Sequence, residues 1–172
     1  MSFKSPADEL VGTEKIYVDA LGQIVSKFYR PLLSAVGTKN QKLSKTQVNQ
    51  IFGNVESLHR LHEAFYTELR GTRLDPAKIA DKFLQYAPHF KLCASYFETL
   101  VRGSELCKQL MKDERSPFAV FINANGGDQK RQALMIRPVQ RLCHYPLLLK
   151  GLRKSVPADT QPIVQRAIDA TK

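Results

Sequence analysis

Between a small number of glycines and prolines, the apolar residues of this chain recur every three to four positions, and that period points to helices throughout. The clearest case is Asn54–Gly71, NVESLHRLHEAFYTELRG, where Val55, Leu58, Leu61, Phe65 and Leu69 fall on one face and Gly71 serves as a C-cap. At 172 residues the chain is long enough for one domain with a real core and short for two. It has 43% hydrophobic and 24% charged residues, ordinary for a globular protein. No apolar run reaches the length of a membrane span.

The punctuation divides the periodic stretches. Ser5-Pro6-Ala7-Asp8 reads as an N-cap, a proline at the first helical position and an acid in the first turn. The helix that follows runs to about Leu33 and ends near Pro31 and Gly37. Ser44 caps a short helix to Phe52, and Gly53-Asn54 breaks it. Asp75-Pro76 opens another helix, interrupted at Ala87-Pro88. From Pro88 to Lys112 the pattern is helical again, with Phe90, Cys93, Ala94, Phe97 and Val101 available for packing. Ser116-Pro117 begins a short helix through Phe121. Asn123–Gln132, NANGGDQKRQ, is turn chemistry and reads as the clearest loop. Arg137–Lys154, RPVQRLCHYPLLLKGLRK, is a helix with prolines at 138 and 146, and Pro157 onward opens a last helix that is left unfinished. The expected fold class is all-α, an elongated helical bundle forming a single domain over residues 1–172 with a truncated last helix.

Two of these helices contain local conflicts. With Leu10 at zero and about 100° per residue, Tyr17, Val18, Leu21, Ile24, Val25, Phe28 and Leu32 form a core stripe, and Glu14 falls in its middle. A carboxylate buried there costs several kcal/mol, on the order of the desolvation penalty, unless it is paired. Either an arginine from another helix pairs it, or the helix end projects past the core and Glu14 meets a partner protein. In the helix RPVQRLCHYPLLLKGLRK, Val139, Leu142, Tyr145, Leu149 and Leu152 take the core side. The opposite arc carries Ile136, Gln140, His144, Leu147, Gly151 and Lys154, a mixed face typical of interfaces. Pro146 removes the amide that bonds to Leu142, so the helix either bends there or divides into two.

These residues resemble the Dbl-homology (DH) domain of Rho-family guanine-nucleotide exchange factors. Arg137-Pro138-Val139-Gln140-Arg141 followed by Tyr145-Pro146-Leu147-Leu148-Leu149-Lys150 is similar to that family's third conserved region, and Thr13-Glu14-Lys15-Ile16-Tyr17-Val18 to its first. Ile51–Phe65 and Phe83–Phe97 are similar to the segments between them, so the resemblance spans about 7–170.

The resemblance implies a bundle that binds a Rho-family small GTPase, of Rac or Rho type, remodels its switches and Mg²⁺ site, and releases GDP so that GTP loads. It implies that Glu14 engages switch I and that Ile136, Gln140 and His144 face switch II and the strands between the switches. Tyr17, Val139, Arg141, Tyr145 and Leu149 then support them from the core. An isoleucine at 136 leans toward Rac-type partners. No cofactor, nucleophile or general base is expected, because exchange makes no bond. The alternative is a GTPase-binding or self-associating scaffold module without efficient exchange.

Two departures from the family pattern stand out. His144 occupies a position where the family usually carries lysine or arginine, and the chain stops at Lys172, before the last helix's asparagine and the usual trailing pleckstrin-homology domain.

The net charge of +10 permits an acidic partner, a nucleic acid or an anionic membrane surface. No RGG or RNP-like motif interleaves the basic residues with exposed aromatics, so a nucleic-acid partner is not expected. The N-terminus, MSFKSPADEL, lacks the apolar core of a signal peptide. Cys93, Cys107 and Cys143 are scattered and odd in number, which suits a reducing compartment. The expected location is cytoplasmic, with recruitment to the inner face of the plasma membrane left open. His59 and His62 have the spacing of two metal ligands but no third nearby, and His62, at the edge of an apolar face, reads as structural.

Overall fold

The computed structural model describes residues 2–172. Its order is α1 (Pro6–Ile24), a π turn (Val25–Tyr29), α2 (Arg30–Ser34), α3 (Lys45–Phe52), α4 (Val55–Gly71), α5 (Pro76–Tyr86), a 3₁₀ turn (Ala87–Lys91), α6 (Leu92–Met111), α7 (Pro117–Ala124), α8 (Gly127–Met135), α9 (Arg137–Lys154) and α10 (Gln161–Thr171), with no strand among the described residues.

Local chemistry accounts for most of the boundaries. Ser44 Oγ accepts from Gln47 N while Gln47 Oε1 accepts from Ser44 N, a full capping box at the start of α3. Asp75 caps α5 by accepting from Ala77 N and Lys78 N, with Pro76 at the first position. Pro31 lacks the amide a regular helix needs, and the ladder widens into the π turn immediately before it, so the chain remains helical to Ser34.

The chain divides into two compact units. One contains residues 2–19, Arg60–Lys91 and Pro138–Lys172. Its core joins Leu10, Phe65, Leu69, Phe83, Tyr145, Leu149, Leu152, Val164 and Ile168, all fully buried. Here α10 packs on α5, and the rings of Phe65, Phe83, Phe90 and Tyr145 meet edge-to-face or stacked at centroid distances of 4.9–6.3 Å.

The other unit contains Ala20–His59 and Leu92–Arg137. There α3 crosses α6 at Gly103, where a Cβ would come within 2.7 Å of the Gln50 carbonyl oxygen, so only glycine permits that approach. Phe28, between Phe52 and Phe121, is among its buried residues.

Three expectations are corrected. The stretch expected as a loop, Asn123–Gln132, belongs largely to α7 and α8. Gly126, at φ 103°, makes the turn between them. Asp128 then accepts from Arg131 Nε and Gln132 Nε2, one turn on, which holds the polar segment in a helix. The helix expected from Pro88 starts at Leu92, after a 3₁₀ turn. On α6 the packing stripe is Cys93, Tyr96, Gly103 and Cys107. Ala94, Phe97 and Val101, expected to pack, are exposed, Val101 at 76%.

Candidate functional site

The first conserved motif and the third meet at one buried cluster. Glu14 on α1 is 0% exposed. Its Oε1 accepts from Arg141 Nε at 2.9 Å and from the Tyr145 hydroxyl at 2.7 Å, both on α9. Its Oε2 lies 3.1 Å from Nδ1 of His62, on α4. Arg141 also donates to Thr13 Oγ1 at 2.8 Å and to the Leu10 carbonyl at 3.2 Å. Its guanidinium lies 4.9 Å from the Tyr145 ring centroid. The His62 ring stacks on Phe90 at 5.3 Å and meets Tyr17 edge-on at 4.7 Å.

Electrostatics follow from this geometry. Burial disfavours the Glu14 carboxylate, but the Arg141 charge and the hydrogen bonds from His62 and Tyr145 outweigh it and hold the carboxyl below its usual range. Burial likewise disfavours the charge on Arg141, and Glu14 more than restores it. Burial, with the Glu14 charge adding to it, pushes the Tyr145 phenol well above its usual value, so it remains a hydrogen-bond donor. A paired charge with hydrogen bonds on both partners is the arrangement in which a buried ion pair is tolerated.

The expectation that Glu14 offers its carboxylate to a partner is therefore not met in this conformation: the arginine pairing that the sequence also allowed is what forms, and the arginine is Arg141. Arg141, Tyr145, Leu149 and Tyr17 are buried, whereas Val139 is only half-buried because Arg141 and Tyr145 occupy the centre of the inward face. His62 was legible only as a structural histidine, and its place beside Glu14 came from the fold.

On the other side of α9, Gln140 and His144 are exposed one helical turn apart, and Leu147 continues that face. The helix runs unbroken past Pro146, so the division into two helices does not occur. Ile136, in the other unit, caps the C-terminus of α8 and is 36% exposed. On α1, Glu9 is exposed in the first turn, one turn before Thr13, the residue that Arg141 touches. Glu9 does not stand out along the chain, because a lone acid in a first turn is ordinary helix chemistry.

Known proteins carry the same arrangement of helices. The chain is 30% identical over 172 residues to the mouse (Mus musculus) "FYVE, RhoGEF and PH domain-containing protein 2", covering 94% of this chain and 26% of that protein. It is 30% identical over 147 residues to the human (Homo sapiens) "Rho guanine nucleotide exchange factor 25", covering 85% of this chain and 24% of that protein. The chain thus spans about a quarter of the length of these relatives. Among solved structures, one of the Vav1 exchange factor superimposes with a TM-score of 0.84 at 26% identity, over 96% of this chain and 45% of that one. The RhoGEF domain family model matches residues 7–172, and the chain belongs to that family.

Proposed function

We propose that this chain is a guanine-nucleotide exchange domain for a Rho-family small GTPase. The observation that carries the reading is the division of α9: its inward residues, Arg141 and Tyr145, are bonded to Glu14, while Gln140 and His144 are left exposed. A helix anchored in this way presents its outer face without paying the entropy of ordering it on binding. Family membership and the exchange-factor names of relatives at 30% identity support the same reading.

In this reading Gln140, His144 and Ile136 contact the GTPase near switch II. On α1 the acid placed to reach switch I without breaking an ion pair is Glu9, and Glu14 acts behind it by holding Arg141. Bound nucleotide and Mg²⁺ keep the switches ordered. A surface that fits the displaced switches binds the nucleotide-free GTPase more tightly than the loaded one, and that difference in affinity expels GDP. No bond forms or breaks in this process, so the domain acts by binding alone.

Release of a fluorescent GDP from purified Rac-type and Rho-type GTPases tests this. Wild type accelerates release from at least one of them, and Gln140→Ala and Glu9→Ala each lose most of that acceleration while keeping the wild-type circular dichroism. Complex formation without acceleration would replace exchange with the scaffold reading, and no binding to any member would refute both.

A further inference from the structure

The exchange reading uses one oxygen of the Glu14 carboxylate and leaves the other unexplained. Oε1 takes Arg141 and Tyr145, which fastens α9 to α1. Oε2 faces His62 Nδ1 at 3.1 Å, on α4. His62 is 0% exposed, so it touches no partner itself. The three helix segments that meet at this carboxylate all belong to one unit.

The neighbours of His62 decide which of its nitrogens carries the proton. Nδ1 faces two oxygens, Glu14 Oε2 at 3.1 Å and the Tyr145 hydroxyl at 3.3 Å. The Glu14 carboxyl is held below its usual range, so at neutral pH it is ionised and only accepts. The Tyr145 hydroxyl donates its single proton to Glu14 Oε1 at 2.7 Å, so toward His62 it too offers only a lone pair. A bare nitrogen at Nδ1 would meet two acceptors with no hydrogen between them. Nε2 is buried without a hydrogen-bond partner among the described residues, so a proton there would be an orphaned donor. Both ends of the ring therefore place the proton on Nδ1. Phe90, stacked at 5.3 Å, and Tyr17, edge-on at 4.7 Å, fix the plane of the ring and aim that N–H at the carboxylate.

We propose that His62 is a positioning residue for exchange: its Nδ1–H donates to Glu14 Oε2 and keeps the carboxylate on Arg141 and Tyr145. That seating holds Gln140 and His144 outward on α9 and Glu9 outward on α1. The inference rests on the exchange reading above. A hydrogen bond to a charged acceptor is about twice as strong as a neutral one, so its loss frees the carboxylate and loosens both outward faces.

Two measurements test this. Imidazole ¹⁵N shifts of the wild-type protein read the tautomer, with His62 assigned among the 4 histidines by its ring contacts to Phe90 and Tyr17. Nδ1 is expected in the protonated range and Nε2 in the unprotonated one. A proton on Nε2 would overturn the proposal. The second measurement is fluorescent-GDP release from a GTPase on which wild type acts. His62→Phe keeps a ring against Phe90 but has no donor, and is expected to slow release about tenfold or more at unchanged circular dichroism. If that variant does not fold, His62→Leu, smaller and equally without a donor, takes its place. His62→Asn, whose Nδ2 stands where Nδ1 was, recovers most of the loss. Unchanged release without the donor, or release by the Asn variant no faster than by the donor-free one, would reduce His62 to packing and refute its role. If wild type accelerates release from no Rho-family member, the exchange reading itself fails, and the tautomer alone decides whether the bond to Glu14 stands.

Discussion

Two arginines are buried among the described residues, one in each unit, and they are treated differently. Arg141 spends its donors on Glu14, Thr13 and the Leu10 carbonyl, and its partner carboxylate is itself fully buried. Among the described residues Arg131 pairs with Asp128, whose side chain is 21% exposed, and it keeps a buried Nη2 without a partner. Burial alone therefore does not say what a charge is for. The satisfied arginine fastens α9 to α1 and so fixes which residues of α9 face outward. The unsatisfied one fastens little beyond its own turn and leaves a buried donor open.

The comparison breaks if the two behave alike on removal. Arg141→Met leaves the Glu14 carboxylate buried and unpaired, and is expected to cost about 3–5 kcal/mol in urea unfolding. The double variant Glu14→Gln/Arg141→Met should recover a large part of that loss, since no isolated charge remains. Arg131→Met is expected to change stability by about 1 kcal/mol or less, because Asp128 can keep its water and the cost of one unsatisfied donor disappears. If Arg131→Met destabilises as much as Arg141→Met, the distinction between the two sites is wrong.

Acid titration sharpens the same contrast. Glu14 sits below the ordinary carboxyl value of 4.5 in the folded state, so the unfolded chain binds its proton first as pH falls. Its stabilisation is complete above the unfolded value and is lost as pH drops through 4.5 toward the folded value. Stability measured against pH should therefore fall through this window in wild type and flatten in Glu14→Gln/Arg141→Met. Asp128 is also held low, against burial, by hydrogen bonds from Arg131 and Gln132. It contributes in the same direction, but more weakly, being partly exposed.

The smallest expected effect lies on the outward face. His144→Lys should move stability by less than about 0.5 kcal/mol, because the side chain is exposed. In the exchange assay it should preserve or raise the rate by adding a fixed positive charge. Abolished exchange with an intact fold would show that position 144 has been misassigned.

The fold was legible wherever helix signals were local. Ser44, and Asp75 with Pro76, announce the starts of α3 and α5, and both helices start there, with Gln47 completing the first cap. The segment after Asn123 failed because its residues are individually turn-prone, while the Asp128 bonds to Arg131 and Gln132 that make it helical exist only once the turn has formed. The face of α6 failed because its helix offers apolar residues on more than one side. The close approach of α3 at Gly103 selected Cys93, Tyr96 and Cys107 for burial and left Phe97 and Val101 outside.

The candidate site divides the same way. Sequence by itself determined that the chain is helical, that α9 has two different faces, and that a carboxylate on the apolar stripe of α1 needs either a cation or a partner, because periodicity and burial cost are local properties of residues. Only the tertiary structure decided that Arg141 is that cation, that His62 lies beside Glu14, and that Arg131 is buried with a donor left open. Each of those depends on side chains brought together from distant parts of the chain, and no spacing along the sequence records such a meeting.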